Sequence, residues 1–370
     1  MSPYDLPAFP DGAACEISPA ASETHRLIAE LPTGLGPEGS VVDDLGRRAY
    51  VASSRSDNLT VIDLDRLTVL DPIGVGREPT DLILDARRRR LFVCDLRGSS
   101  VSVIDVARQR REASLEVPAY PSCVALDAER RLLYVGCAAG AVVAVIDVDE
   151  LRVLATIPAE LGAGGVAVDT RREIGYCANF LTDSMSILDC AARQQIGRLE
   201  LGRAPCATVI NPLNDSLYVA NSASDSVFRL SLATRELAAE IPVGRGPVGI
   251  NVSPSGDRVY VGNRAEGTVS VIGAADDREW GRLPVGEAPA GLAVDPSTNR
   301  LLVSNAGSAT VTVLEDLLDG PSAAGTAAVP HPLVGQRLPD FALPDLRSGK
   351  LRRSREWSER KYILNFFASW

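Results

Sequence analysis

Seven cysteines, two histidines and several regularly spaced columns of charged residues are what this sequence offers to chemistry. The cysteines (Cys15, Cys94, Cys123, Cys137, Cys177, Cys190 and Cys206) are odd in number and contain no Cys-x-x-Cys pair. Neither a disulfide ladder nor a metal site is expected of them, and buried free thiols suited to a reducing compartment are. His25 and His331 are isolated, which removes His-based metal sites, Ser-His triads and haem ligation. Arg77, Arg203 and Arg245 share one slot at multiples of 42 residues. Guanidinium groups converging on one point could hold an anionic group bidentately, the alternative being solvated rim charges. Two further columns, Asp43, Asp85, Asp127, Asp169 and Asp295, and Asn179, Asn221, Asn263 and Asn305, are expected to cap turns through their own backbone. The run Arg87 to Arg90 is expected to be solvated rather than a nucleic-acid patch, because the chain carries a net charge of −10.

These columns exist because the chain repeats. Pro37, Pro79, Pro121, Pro205, Pro247 and Pro289 fall on one 42-residue lattice, with Ala163 in the vacant slot. Each unit holds four short strand signals. The first follows the proline, as in Leu82 to Asp85. The second carries an aromatic-Val pair such as Tyr134-Val135, and the third alternates apolar and small polar residues, as in Val269-Ser270-Val271. The fourth ends in a turn such as Val285-Gly286. Four-stranded units at this period define propeller blades, so the fold class is all-β, a seven-bladed β-propeller. The seventh unit lacks its last strand, and the segment His25 to Gly34 (HRLIAELPTG) matches the missing one. An N-terminal strand completing the last blade would close the ring and remove two sheet edges at once.

The strings Tyr218-Val219-Ala220-Asn221, Tyr260-Val261-Gly262-Asn263 and, more loosely, Leu302-Val303-Ser304-Asn305 resemble the repeat of the YVTN family of β-propellers. The resemblance covers about residues 25 to 316, and departs at Asp95 and Cys137, which occupy the Asn column. It implies a fold more than a function, since such propellers serve as binding platforms, surface proteins and enzyme subunits alike. In a propeller the Arg77, Arg203 and Arg245 slot, filled by Glu287 in the seventh blade, lies at the mouth of the central channel on the top face.

The domains are read as an N-terminal extension (1–24), the propeller (25–318), a linker (319–332) and a different pattern over 333–370. The linker, DGPSAAGTAAVPHP, is rich in small residues and proline. Beyond it, Pro339-Asp340-Phe341-Ala342-Leu343-Pro344-Asp345, then Gly349-Lys350, then the apolar run Tyr362 to Trp370 resemble the start of a thioredoxin-like redoxin domain. The resemblance implies that the run is a central strand leading into a redox Cys at a helix N-terminus, where the dipole favours thiolate. That catalytic position is expected immediately after Trp370, so no catalytic residue is assigned within this chain. Two readings stand for the stop at that codon: a UGA encoding selenocysteine, and ordinary fragmentation.

No stretch of roughly 18 to 20 apolar residues suggests a membrane helix, and no secretory signal is visible. A cytoplasmic product is expected as written, or a periplasmic or extracellular one if the start codon is mis-called. No cofactor, metal, nucleic acid or membrane partner is expected. A monomer is expected, binding a protein or a small anionic ligand on the top face. The functional expectation is a propeller docking module fused to a thiol or selenol oxidoreductase of redoxin type. The alternative is a non-enzymatic scaffold with a vestigial tail.

Overall fold

A computed structural model describes residues 24–317, together with the backbone of Ala342–Pro344 and Leu351–Arg353. Cys15, His331, the linker and the run Tyr362 to Trp370 lie outside the described residues. Two compact units divide the chain, Met1–Pro321 and Ser322–Trp370. In the second, Ala342–Pro344 pairs antiparallel with Leu351–Arg353.

The first unit consists of seven four-stranded sheets. Their innermost strands, in blade order, are Pro37–Asp43, Pro79–Asp85, Pro121–Asp127, Ala163–Asp169, Pro205–Asn211, Pro247–Val252 and Pro289–Asp295. Every one begins at the lattice proline or its Ala163 substitute. Proline suits that position because it fixes φ at a strand start and removes an N–H that the ladder does not use there. The second strand of each blade is buried on both faces, between the neighbouring blades. Its aromatic column, Tyr50, Phe92, Tyr134, Tyr176, Tyr218 and Tyr260, is fully enclosed. Each such ring removes on the order of 150–250 Å² from water, so this column dominates the contacts between blades. The outermost strands alternate instead, as Gln194–Glu200 does along its whole length, because only one of their faces meets a neighbour.

Ring closure follows the sequence expectation. His25–Pro32 is the outermost strand of the seventh blade, antiparallel to Thr310–Asp316, with His25 opposite Asp316 and Leu31 opposite Val311. A buried polar clasp forms where the two ends meet. The Asp316 carboxylate accepts hydrogen bonds from the Tyr260 hydroxyl (2.6 Å) and the Arg258 guanidinium (2.8 Å), both from blade 6. Nε2 of His25 stands 3.8 Å from the same carboxylate, its ring edge-on to Tyr260. Burial, above all, pushes the His25 imidazole below its ordinary range; Asp316 pulls the other way and Arg258 adds to the fall.

The Asp column behaves as expected and does more. Asp85 Oδ1 accepts the N–H groups of Arg87 and Arg88, and Asp295 Oδ1 accepts that of Ser297. Beyond the turn, Asp295 also receives Arg47 of blade 1 bidentately (3.0 and 2.9 Å), and Asp43 receives Arg89 of blade 2 (2.5 Å twice). The Arg87–Arg90 run is therefore corrected. Its members are not simply solvated: Arg87 pairs with Glu129, Arg88 with Asp85 and Asp149, Arg89 with Asp43 and Arg90 with Glu112. Partners up to 61 residues away in the chain, invisible to a local reading, neutralise the charge.

The Asn column is corrected as well. These side chains do not close their own turns but reach across to the third strand. Asn263 Nδ2 donates to the hydroxyls of Thr268 (3.0 Å) and Ser270 (2.8 Å), and Asn179 and Asn305 repeat the pattern. Asn221 is the exception, because Phe228 stands where the second hydroxyl would be. Asp95 fills the same slot in blade 2, accepting from Ser100, Ser102 and the Gly76 N–H. Burial raises its carboxyl pKa, only partly offset by those bonds. Asparagine can satisfy the same partners without a charge, its oxygen taking Gly76 N–H and its amide facing the rotatable hydroxyls. Asp95→Asn is therefore expected to raise stability by about 1 kcal/mol at neutral pH. A carboxyl with raised folded pKa contributes stability below its unfolded pKa and loses it as pH rises through the folded one. The gain should thus vanish in acid, which chemical denaturation of both proteins at pH 4 and pH 8 would read out.

Candidate functional site

The innermost strands enclose the axial channel, and a cavity of about 240 Å³ opens within it. The two residues after each lattice proline form its upper rings. Glu38, Thr80, Ser122, Gly164, Cys206, Val248 and Ala290 occupy the first ring, and Gly39, Asp81, Cys123, Gly165, Ala207, Gly249 and Gly291 the second. The ladder explains why these positions face the axis. Between the first residue and the third or fourth of each inner strand the register shifts, so the bulged residues leave their own sheet and lean on the next blade.

Side chains of the first ring stitch blade to blade. The Thr80 hydroxyl donates to the Ser122 carbonyl (3.3 Å), the Ser122 hydroxyl to that of Ala163 (2.6 Å), and the Cys206 thiol to that of Pro247 (3.3 Å). Lower down, the Asn251 amide donates to Leu292 O (2.8 Å). These bonds satisfy carbonyls that the bulge frees from the ladder, which is a structural duty.

Each upper ring holds one carboxylate, and the two differ in their company. Glu38 is held bidentately by Arg264, at 3.1 and 3.2 Å, from the loop after the second strand of blade 6. The guanidinium thus spans the inner strand of blade 7 to reach blade 1. Asp81 has no ion pair among the described residues. Its oxygens accept the N–H groups of Leu82 (2.9 Å) and Val124 (3.0 Å). Burial pushes this carboxyl up to about 6, against the pull of those two bonds. It lines the channel cavity. Gly39 makes room for it: a Cβ there would stand 3.1 Å from Asp81 Oδ1 and 2.9 Å from its Cα.

Arg77, Arg203 and Arg245 stand elsewhere. All three are exposed on top-face loops, and none lines the cavity. The Arg203 guanidinium donates to the Ala223 carbonyl (2.8 Å) and Arg245 lies 3.6 Å from Glu266. The loops that carry them are well positioned, since the residue after each receives an Asp side chain from the preceding blade. Asp57 accepts from Glu78 N–H, Asp183 from Ala204 N–H and Asp225 from Gly246 N–H. Among the described contacts the three guanidinium groups share no partner. Sequence reasoning passed over Glu38, Asp81 and Arg264. The available signal was the pair of positions after the lattice proline, where a charge among Gly, Ala, Ser and Thr marks an axis-facing residue.

Cys94, Cys123, Cys137, Cys177 and Cys190 are buried and free. Burial raises every one, Cys137 and Cys177 to about 12 and Cys190 to about 11; Cys206, at the channel wall, is likewise pushed to about 12. Among the described residues no group of three or more His, Cys, Asp or Glu side chains is placed to hold a metal ion.

Architecture and site together define a seven-bladed β-propeller with a narrow polar axial channel. The sequence matches no protein-family model and no curated protein sequence. Among solved structures the chain is similar to hydrazine synthase of Kuenenia stuttgartiensis, 18% identical, covering 78% of this chain and 97% of that one at a TM-score of 0.71. That likeness concerns the fold alone.

Proposed function

We propose that this protein is a YVTN-type propeller that docks a substrate or partner protein and is fused to a redoxin-type thiol or selenol oxidoreductase domain. The observation that carries the reading is in the second unit. Ala342–Pro344 pairs antiparallel with Leu351–Arg353, within the segment whose motifs resemble the start of such a domain. The propeller's thiols support a division of labour, being buried and held far from thiolate at neutral pH. In this reading the top face, with exposed Arg77, Arg203 and Arg245, receives a partner protein or an anionic group.

The test is to read the genomic bases after the Trp370 codon and assay the protein extended accordingly. A Cys or UGA codon within the next few positions, with reduction of insulin disulfides or of hydrogen peroxide, is the expected result. A reading frame without either, or an extended protein inactive in both assays, would leave the non-enzymatic scaffold as the function.

A further inference from the structure

Among the described residues that line the channel, Asp81 is the one charged group without an ion pair. Glu38, in the ring above, is neutralised by Arg264, whereas Asp81 meets only backbone N–H groups. A carboxylate offers about four acceptor positions, and two of those on Asp81 remain open. Two hydroxyls one ring deeper, Ser40 Oγ in blade 1 and Thr208 Oγ1 in blade 5, are buried and make no hydrogen bond among the described residues. They lie in blades on opposite sides of the ring and both line the same cavity. Its volume, about 240 Å³, corresponds to roughly eight waters at about 30 Å³ each. Anions are disfavoured, since the two carboxylates outnumber the single guanidinium. A tightly held metal ion is disfavoured too, because no set of three acidic, thiol or imidazole ligands is assembled among the described residues.

We propose that the axial channel binds a small organic cation through a primary ammonium or guanidinium group, with the Asp81 carboxylate as its counter-charge. Two N–H groups of such a ligand match the two open acceptor positions of Asp81. Ser40 and Thr208 line the cavity beside it and shape the space left for the remainder of the molecule. The site is independent of the redoxin reading, because it is built wholly within the propeller.

The test uses the full chain and n-butylammonium chloride as probe, with n-butanol and sodium chloride as controls for shape and ionic strength. Isothermal titration at pH 8 is expected to give saturable, one-site binding of butylammonium and none of butanol. Asp81→Asn should weaken it at least tenfold while circular dichroism and the thermal transition stay as in the parent. The other charged or titratable side chains lining the cavity are Glu38, ion-paired with Arg264, and the thiols of Cys123 and Cys206, which burial pushes up. Affinity should rise between pH 5 and 8 with ionisation of Asp81, whose carboxyl burial pushes up to about 6. Should Asp81→Asn fail to fold, the ¹³C carboxyl resonance of Asp81 in the parent protein replaces it, its titration midpoint falling by about one pH unit with ligand present. Equal binding by Asp81→Asn, uptake of butylammonium no better than of butanol, or an unmoved carboxyl midpoint each overturns the proposal.

Discussion

Replacing Asp316 with alanine is expected to cost the propeller about 3–5 kcal/mol. The reason lies in where the carboxylate sits. It is the shared acceptor for Arg258 and Tyr260 of blade 6, with the buried His25 ring beside it, at the seam where the two ends of the ring meet. Asp316 and Arg258 side chains are each 3% exposed, so truncating Asp316 leaves the guanidinium in a dry site with the Asp257 carboxylate (3.3 Å) as its remaining ion-pair partner. A neutral partner pair of the same shape would cost less, because much of the loss is the guanidinium left under-satisfied rather than the missing attraction. The seam also amplifies the effect. A propeller whose closing strand detaches exposes two sheet edges, so the loss should appear as one cooperative transition shifted down by on the order of 10 °C. Glu315→Ala, one residue earlier, is the internal control. Its partner Arg26 is 64% exposed, and removal of that surface pair should change stability by no more than about 0.5 kcal/mol. Differential scanning calorimetry of the two variants decides the matter: equal shifts would mean that the clasp does not hold the ring.

Gly249→Ala is expected to be nearly as damaging, for a reason of space rather than charge. Gly249 lies in the second channel ring, where adjacent inner strands come closest. A Cβ there would overlap the carbonyl oxygen of Ala290 and stand 3.0 Å from its carbon, and both are backbone atoms of the next blade. No rotamer change relieves such an overlap, so the blade 6 and blade 7 inner strands must separate. A cost of about 3 kcal/mol or more is expected, at the upper end for overpacking. Gly291 meets the same constraint at the blade 7 to blade 1 contact, where a Cβ would overlap the Glu38 carbonyl oxygen. Gly74→Ala supplies the contrast. At the outer end of blade 1 nothing lies within 4 Å of the added methyl, and that substitution should be neutral or stabilising by about 0.4–1 kcal/mol. Urea denaturation of the two variants measures the difference, and similar midpoints would show that inter-blade spacing at the channel is not tight.

The two substitutions mark the limits of reading this chain from its letters. The 42-residue lattice, the four strand signals and the match of His25 to Gly34 to a missing strand all depend on local pattern, and they led to the propeller and its closure. Pattern did not show what Asp316 does. Its partners Arg258 and Tyr260 lie 58 and 56 residues back, in another blade. Nor did it separate Gly249 from Gly74, two glycines of the same periodic sequence with opposite surroundings. The candidate site divides in the same way. The Arg77, Arg203 and Arg245 column was conspicuous because its spacing is regular, yet those side chains are exposed on loops and none lines the channel cavity. Asp81 was inconspicuous because six other residue choices surround it in its ring, and its importance comes from lacking the counter-charge that Glu38 has.

By itself the sequence determined the repeat, the number of blades and the strand that closes the ring, because strand propensity, alternation and turn chemistry act over a few residues and recur at a fixed interval. The tertiary structure alone decided which charges are neutralised, which glycines are indispensable and which carboxylate faces the channel unpaired. Those outcomes depend on distances between blades, and seven sheets closing around an axis bring together residues that no local spacing relates.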